Sequence, residues 1–140
     1  MNCWQTGARR QRVNSIVLDA SAILAIIQAE PGHERFTPDM LSRAVASTVN
    51  LAEVHGKLVS RGWTQQEAWE DARSPICKSI DFDEEQAKSV GDLVMLTQKQ
   101  GLSLGDRACL ALGLKLKAPV YTAEKRWKEL KLSLKVHLIR

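Results

Sequence analysis

The sequence predicts an α/β domain in which short buried strands alternate with helices, and three observations predict it. Apolar runs of strand length recur along the chain, each leading into a segment of helical character. The first, Ser15-Ile16-Val17-Leu18, ends in Asp19-Ala20-Ser21 and passes at once into the helical Ala22 to Ile27. A later run, Pro119 to Thr122, likewise leads to an acid, Glu124. In open α/β sheets the ligand crevice lies outside the carboxyl ends of the strands, so both acids face it in this arrangement. Asp19 also has an ordinary role open to it, as the N-cap of the helix it precedes.

Composition narrows the classes. At 140 residues, 44% hydrophobic and 26% charged, the chain has material for one core, expected over 15–140, and needs no second domain. No apolar run approaches the roughly 18 residues of a membrane span and no apolar leader opens the chain, so the expectation is a cytoplasmic protein with no membrane contact. Residues 1–14 are polar and aperiodic and are expected to lie outside the fold as a poorly ordered extension. Cys3, Cys77 and Cys109 are odd in number, far apart and without CxxC spacing; they read as reduced thiols, the latter two in the core. The net charge of +4 divides into +3 over residues 1–14, −5 over 15–114 and +6 over 115–140. An acidic centre between basic ends suits a site that holds cations and a polyanion together. Solvated surface lysines account for the same count.

The elements follow in order. After the first strand and helix, Glu30-Pro31-Gly32 breaks the chain and Glu34 to Arg43 reads as a short irregular helix. Ala44 to Ser47 is a second strand, and Ser47 or Thr48 starts a helix that runs to about Arg61 and stops at Gly62. On that helix Leu51, Val54 and Leu58 share the core face, with Asn50 and Glu53 one turn apart on its shoulder. Glu53 equally suits an exposed pair with Lys57, one turn on. Thr64 with Glu67 reads as a capping box opening the next helix, which carries Trp69, with Trp63 just before the cap. Ile76 to Phe82 is a third strand. Asp83 to Gln100 reads as one long amphipathic helix with Ala87, Val90, Val94 and Thr97 on its stripe, stopped by Gly101. Ser103 introduces a largely buried helix whose first turn holds Asp106, where dipole pairing alone suits an acid. The Pro119 strand delivers Glu124, which also has Lys128 one turn away, and Val136 to Ile139 is a last strand.

Each acid has an ordinary explanation, but Asp19, Glu53, Asp106 and Glu124 converge on one crevice if the strands form a parallel sheet. Four carboxylates that close repel one another unless cations neutralise them. An oxygen-ligand site for Mg²⁺ or Mn²⁺ resolves this.

The stretches Ile-Val-Leu-Asp19-Ala-Ser21, Ser47-Thr-Val-Asn50-Leu-Ala-Glu53-Val, Leu-Ser103-Leu-Gly-Asp106-Arg-Ala-Cys-Leu-Ala-Leu-Gly and Val-Tyr-Thr122-Ala-Glu124-Lys-Arg-Trp127 resemble, in order, the four motif blocks of PIN-domain ribonucleases, in particular their VapC-type toxin branch. One residue departs: Glu124 stands where the family usually has Asp. The resemblance implies a three-layer α/β/α domain with a mostly parallel sheet of four to five strands and a metal-dependent endoribonuclease activity. It implies Mg²⁺ or Mn²⁺ held by Asp19, Asp106 and Glu124, with Glu53 slightly outside as a fourth catalytic acid. Ser21, Asn50, Ser103 and Thr122 would support these ligands, and Arg107, Lys125, Arg126 and Lys128 would meet RNA phosphates. His33, His55 and His137 lie outside the blocks. The resemblance further implies a cognate antitoxin protein as partner and a homodimer, the helices of Trp63 and Trp69 offering a partner groove. Two other readings stand beside it: a catalytically inactive PIN-like module that binds RNA or protein, and a haloacid-dehalogenase-type phosphatase, which would want a second acid where Ser21 stands.

Overall fold

A computed structural model describes residues 14–140, so all but the last residue of the expected N-terminal extension lies outside the described residues. Five strands form one sheet: β1 (Ile16–Leu18), β2 (Ala44–Ser47), β3 (Lys78–Ile80), β4 (Val120–Thr122) and β5 (Val136–Leu138). Their order is β3-β2-β1-β4-β5 and every pairing is parallel, with Val17 facing Val45 on one side and Val120 on the other. The inner strands are short but apolar on both faces: Ile16, Val17, Leu18, Ala44, Val45 and Ala46 are all buried. That is the pattern of strands covered on both sides.

Helices supply the covers. On one face pack α1 (Ala20–Gln28), α3 (Thr48–Ser60) and α4 (Gln65–Arg73), through Ala22, Ile23, Leu51, Val54, Leu58, Ala68 and Ala72. The four-residue α2 (Pro38–Leu41) leads into β2 on the same side. On the other face lie α5 (Glu84–Asp92), the single turn α6 (Val94–Thr97) and α7 (Leu104–Leu116), whose Ala108 to Leu112 are all buried against Val17, Val45 and Val120. The architecture is thus the three-layer α/β/α with five parallel strands. Among the described residues no helix is long and apolar enough to cross a membrane.

Three local expectations are corrected. The helix expected from Asp83 to Gln100 is broken: α5 ends at Asp92 with Leu93 as its C-cap, and α6 and a 3₁₀ turn, Gln98–Gln100, complete the span before Gly101 at φ +61°. Its buried stripe is Gln86, Val90, Leu93 and Thr97, while Ala87 and Val94 are exposed. Polar residues hold buried places there by donating to backbone carbonyls, although Gln86 Oε1 has no partner among the described residues. Gln86 Nε2 donates to the Asp81 carbonyl at 3.1 Å and Thr97 Oγ1 to the Leu93 carbonyl at 2.8 Å. Of the capping box expected at α4, only the half in which Thr64 accepts from the Glu67 amide is present. A complete box opens α7 instead, between Ser103 and Asp106. Cys109 is free and buried as expected, whereas Cys77, expected in the core, is only partly covered.

Candidate active site

The order of the strands decides where the acids meet. From β1 the chain builds outward to β2 and β3, then crosses back to β4 and β5 on the far side of β1. The switch point therefore lies between the carboxyl ends of β1 and β4, where open α/β sheets present a crevice. Asp19 follows β1 directly, and Glu124 lies two residues beyond β4. α3 and α7 bring Glu53 and Asp106 to the same place, and all four carboxylates line one crevice of about 200 Å³ together with Ser21, Lys57, Ser103 and Arg126.

Asp19 forms the dry wall of this crevice. It is 2% exposed and caps α1, accepting from the Ala22 amide at 2.8 Å, so the capping role and the crevice position coincide. Two hydroxyls donate to it: Ser21 Oγ at 2.7 Å to Oδ1 and Thr122 Oγ1 at 2.6 Å to Oδ2. Each hydroxyl in turn accepts from a backbone amide, Ser21 from Ala123 at 2.8 Å and Thr122 from Glu124 at 2.9 Å. The amides orient both hydroxyl protons toward the carboxylate, and such chains reinforce one another in a buried setting. Burial nevertheless prevails. It pushes the Asp19 carboxyl up to about 6 from 3.8; the bonds from Thr122, Ala22 and Ser21 pull the other way, and Asp106 adds a smaller upward push.

Asp106 and Glu124 form the wet rim. Asp106 Oδ2 accepts from the Ser103 amide at 3.0 Å while Ser103 Oγ accepts from the Asp106 amide at 3.2 Å. Arg126 spans the two acids, its Nη2 3.8 Å from Asp106 Oδ2 and 3.4 Å from Glu124 Oε2. Glu124 therefore pairs with Arg126 rather than with Lys128.

Glu53 enters from α3. Asn50 Nδ2 donates both to Glu53 Oε1 and to the Gly105 carbonyl, each at 3.0 Å, which clamps the acid against the start of α7. Gly105 leaves the room for it: a Cβ there would lie 2.0 Å from Glu53 Oε1. Among the described residues Glu53 makes no ion pair with Lys57. Among the described residues Asn50 Oδ1 is buried without a hydrogen-bond partner, an acceptor left over at the acidic site.

The expected phosphate-binding residues separate into two groups. Lys125 and Lys128 are exposed. Arg107 donates to the Val90 carbonyl at 3.2 Å, tying α7 to α5, and Arg126 turns inward over the carboxylates. Sequence reasoning passed over Lys57 as a crevice residue, Gly105, and the Ala123 and Glu124 amides; the Gly-Asp pair at the head of a buried helix was the one available signal. Trp63 packs on the core with its Nε1 donating to Asp71 at 2.8 Å, while Trp69 is 43% exposed and meets His55 edge-on at 5.6 Å.

The donor set fits a hard divalent cation, since the side-chain oxygens that line the crevice beside Lys57 and Arg126 are carboxylates and hydroxyls, and one acid is buried at evident electrostatic cost. Among the described residues no three His, Cys, Asp or Glu side chains are already gathered as a cage. Asp106 and Glu124 face the Arg126 guanidinium instead.

Fold and site together define a class: a parallel three-layer α/β protein whose acids meet at the sheet's switch point. Residues 16–132 match the PIN domain model, and the chain belongs to that family. No curated protein matches it in sequence. Among solved structures it is similar to a DNA-bound VapBC from Salmonella typhimurium, at 16% identity and TM-score 0.71, over 91% of this chain and 99% of that one. It is also similar to VapBC2 from Rickettsia felis bound to a promoter DNA fragment, at 18% identity and TM-score 0.66, over 86% and 96%. VapBC-5 from Mycobacterium tuberculosis, a member of the VapBC family of toxin-antitoxin systems, aligns at 17% identity and TM-score 0.57, over 89% and 98%. These likenesses are of fold. Membership of the PIN family displaces the phosphatase reading, and Ser21, where that reading wants a second acid, is a donor to Asp19.

Proposed function

We propose that the protein is a metal-dependent endoribonuclease that hydrolyses RNA phosphodiester bonds, the VapC-type toxin of a toxin-antitoxin pair acting in the cytoplasm. The observation that carries this reading is the convergence of Asp19, Glu53, Asp106 and Glu124 on one crevice at the switch point of the sheet. Asp19, Asp106 and Glu124 would hold Mg²⁺ or Mn²⁺, which when bound supplies an activated water and neutralises phosphate oxygens. The chain's own residues prepare that chemistry. Ser21 and Thr122 fix the two Asp19 oxygens in place, and the Ser103 box does the same for Asp106. Asn50 aims Glu53 into the crevice from the opposite side, where its carboxylate can accept a proton or orient a water. Lys125 and Lys128, exposed beside Glu124, contact the RNA backbone without reading sequence.

The partners in this reading are a cognate antitoxin, with the exposed Trp69 as an apolar anchor for it, and a second copy of the chain. The test is cleavage of total cellular RNA by the purified chain, shown by mass to be free of bound protein. Cutting with Mg²⁺ or Mn²⁺ that a chelator abolishes is the expected result. Metal-independent RNA binding without cleavage would replace it with the inactive-module reading.

A further inference from the structure

We propose that Arg126 is the resident counter-cation of the crevice, competing with a divalent ion for Asp106 and Glu124 and so setting how tightly that ion is held; the inference rests on the metal reading above. Arg126 is held on two sides. Nη2 faces the two carboxylates, while Nη1 donates to the carbonyls of Gln100 at 3.1 Å and Gly101 at 3.4 Å. Those carbonyls belong to the turn that closes where Gly101 takes φ +61°. A planar guanidinium suits such a bridge because its donors point in fixed directions. The backbone that carries it, the 3₁₀ turn Lys125–Glu129, is pinned by Trp127, which is fully buried, so the side chain can leave the carboxylates without moving that turn.

The strength of the pairing suits competition. Arg126 is 49% exposed, so its ion pairs are screened and modest, weak enough for a doubly charged ion to displace. Glu124 matters here too. Its side chain is one methylene longer than the Asp usual in the family, and it makes the shorter of the two ion pairs. Lys57 supplies an internal comparison, for it lines the same crevice but, among the described residues, forms no ion pair.

The experiment is calorimetric titration of Mn²⁺ into the metal-stripped protein at low salt, for the native chain, Arg126→Ala, Arg126→Gln and Lys57→Ala, with circular dichroism to establish folding. Both Arg126 variants are expected to bind Mn²⁺ roughly three- to tenfold more tightly than the native chain, and Lys57→Ala less than twofold, from the usual size of exposed ion pairs. Unchanged or weaker binding in the Arg126 variants overturns the proposal while leaving the nuclease reading standing. Equal tightening by Lys57→Ala overturns it as well, since a general positive field would then account for the effect. Absence of Mn²⁺ binding in every variant overturns the metal reading and this proposal with it.

Discussion

The two sides of the crevice handle the same functional group in opposite ways. On the dry wall Asp19 is buried, held by two oriented hydroxyls and a helix amide, and its carboxyl is pushed up to about 6. On the wet rim Glu124 is about 41% and Asp106 18% exposed, and an arginine supplies their charge balance. The difference teaches where rigidity comes from. One side is positioned by neutral hydroxyl and amide donors, while the other is balanced by a cation, the one we propose a divalent ion displaces.

Substitutions along the crevice sharpen this contrast. Asp106→Asn keeps the Ser103 cap geometry and removes the rim's charge. RNA cleavage is expected to fall by about a hundredfold or more with the circular dichroism spectrum unchanged. Thr122→Val keeps the volume of the dry wall but deletes the 2.6 Å donor to Asp19. A loss of about ten- to a hundredfold in kcat/KM is expected, with a further rise in the Asp19 pKa visible by NMR. Gly105→Ala tests the approach of Glu53. The added methyl displaces the flexible end of the side chain from Asn50, so cleavage is expected to drop about tenfold or less. Its melting temperature should stay within a few degrees, helped by the better helix propensity of alanine.

Much of this arrangement was readable beforehand. All five strands were legible, the inner ones as short, mostly apolar runs, and the acids were legible because they follow such runs or lie near the starts of helices. The break near Leu93 was not, since Gln86 and Thr97 occupy buried positions by bonding to nearby carbonyls, which hydrophobic periodicity does not register. Nor was the inward turn of Arg126. Its spacing of two from Glu124 suggests no pairing until a 3₁₀ turn brings the guanidinium over both acids. The location of the complete capping box depended on tertiary position: Ser103 and Asp106 are held at the crevice, while Thr64 and Glu67 lie on an exposed helix start.

The most direct test of the central claim pairs two readings on Asp19→Asn: cleavage with Mg²⁺ or Mn²⁺, and stability against urea from pH 4 to pH 8. The folded carboxyl sits near 6 and the unfolded one near 3.8, so the folded state binds the extra proton between them and stability falls as pH rises through that window. Ionised Asp19 therefore costs the native chain about 3 kcal/mol above pH 6, and Asn, which still caps α1, recovers about 1–3 kcal/mol of it. The predicted result is a variant that no longer cuts RNA, is more stable than the native chain at pH 8 and differs little from it at pH 4. A variant that still cuts at the native rate, or one that is less stable at pH 8, would contradict the view that Asp19 is held buried for chemistry at the expense of the fold.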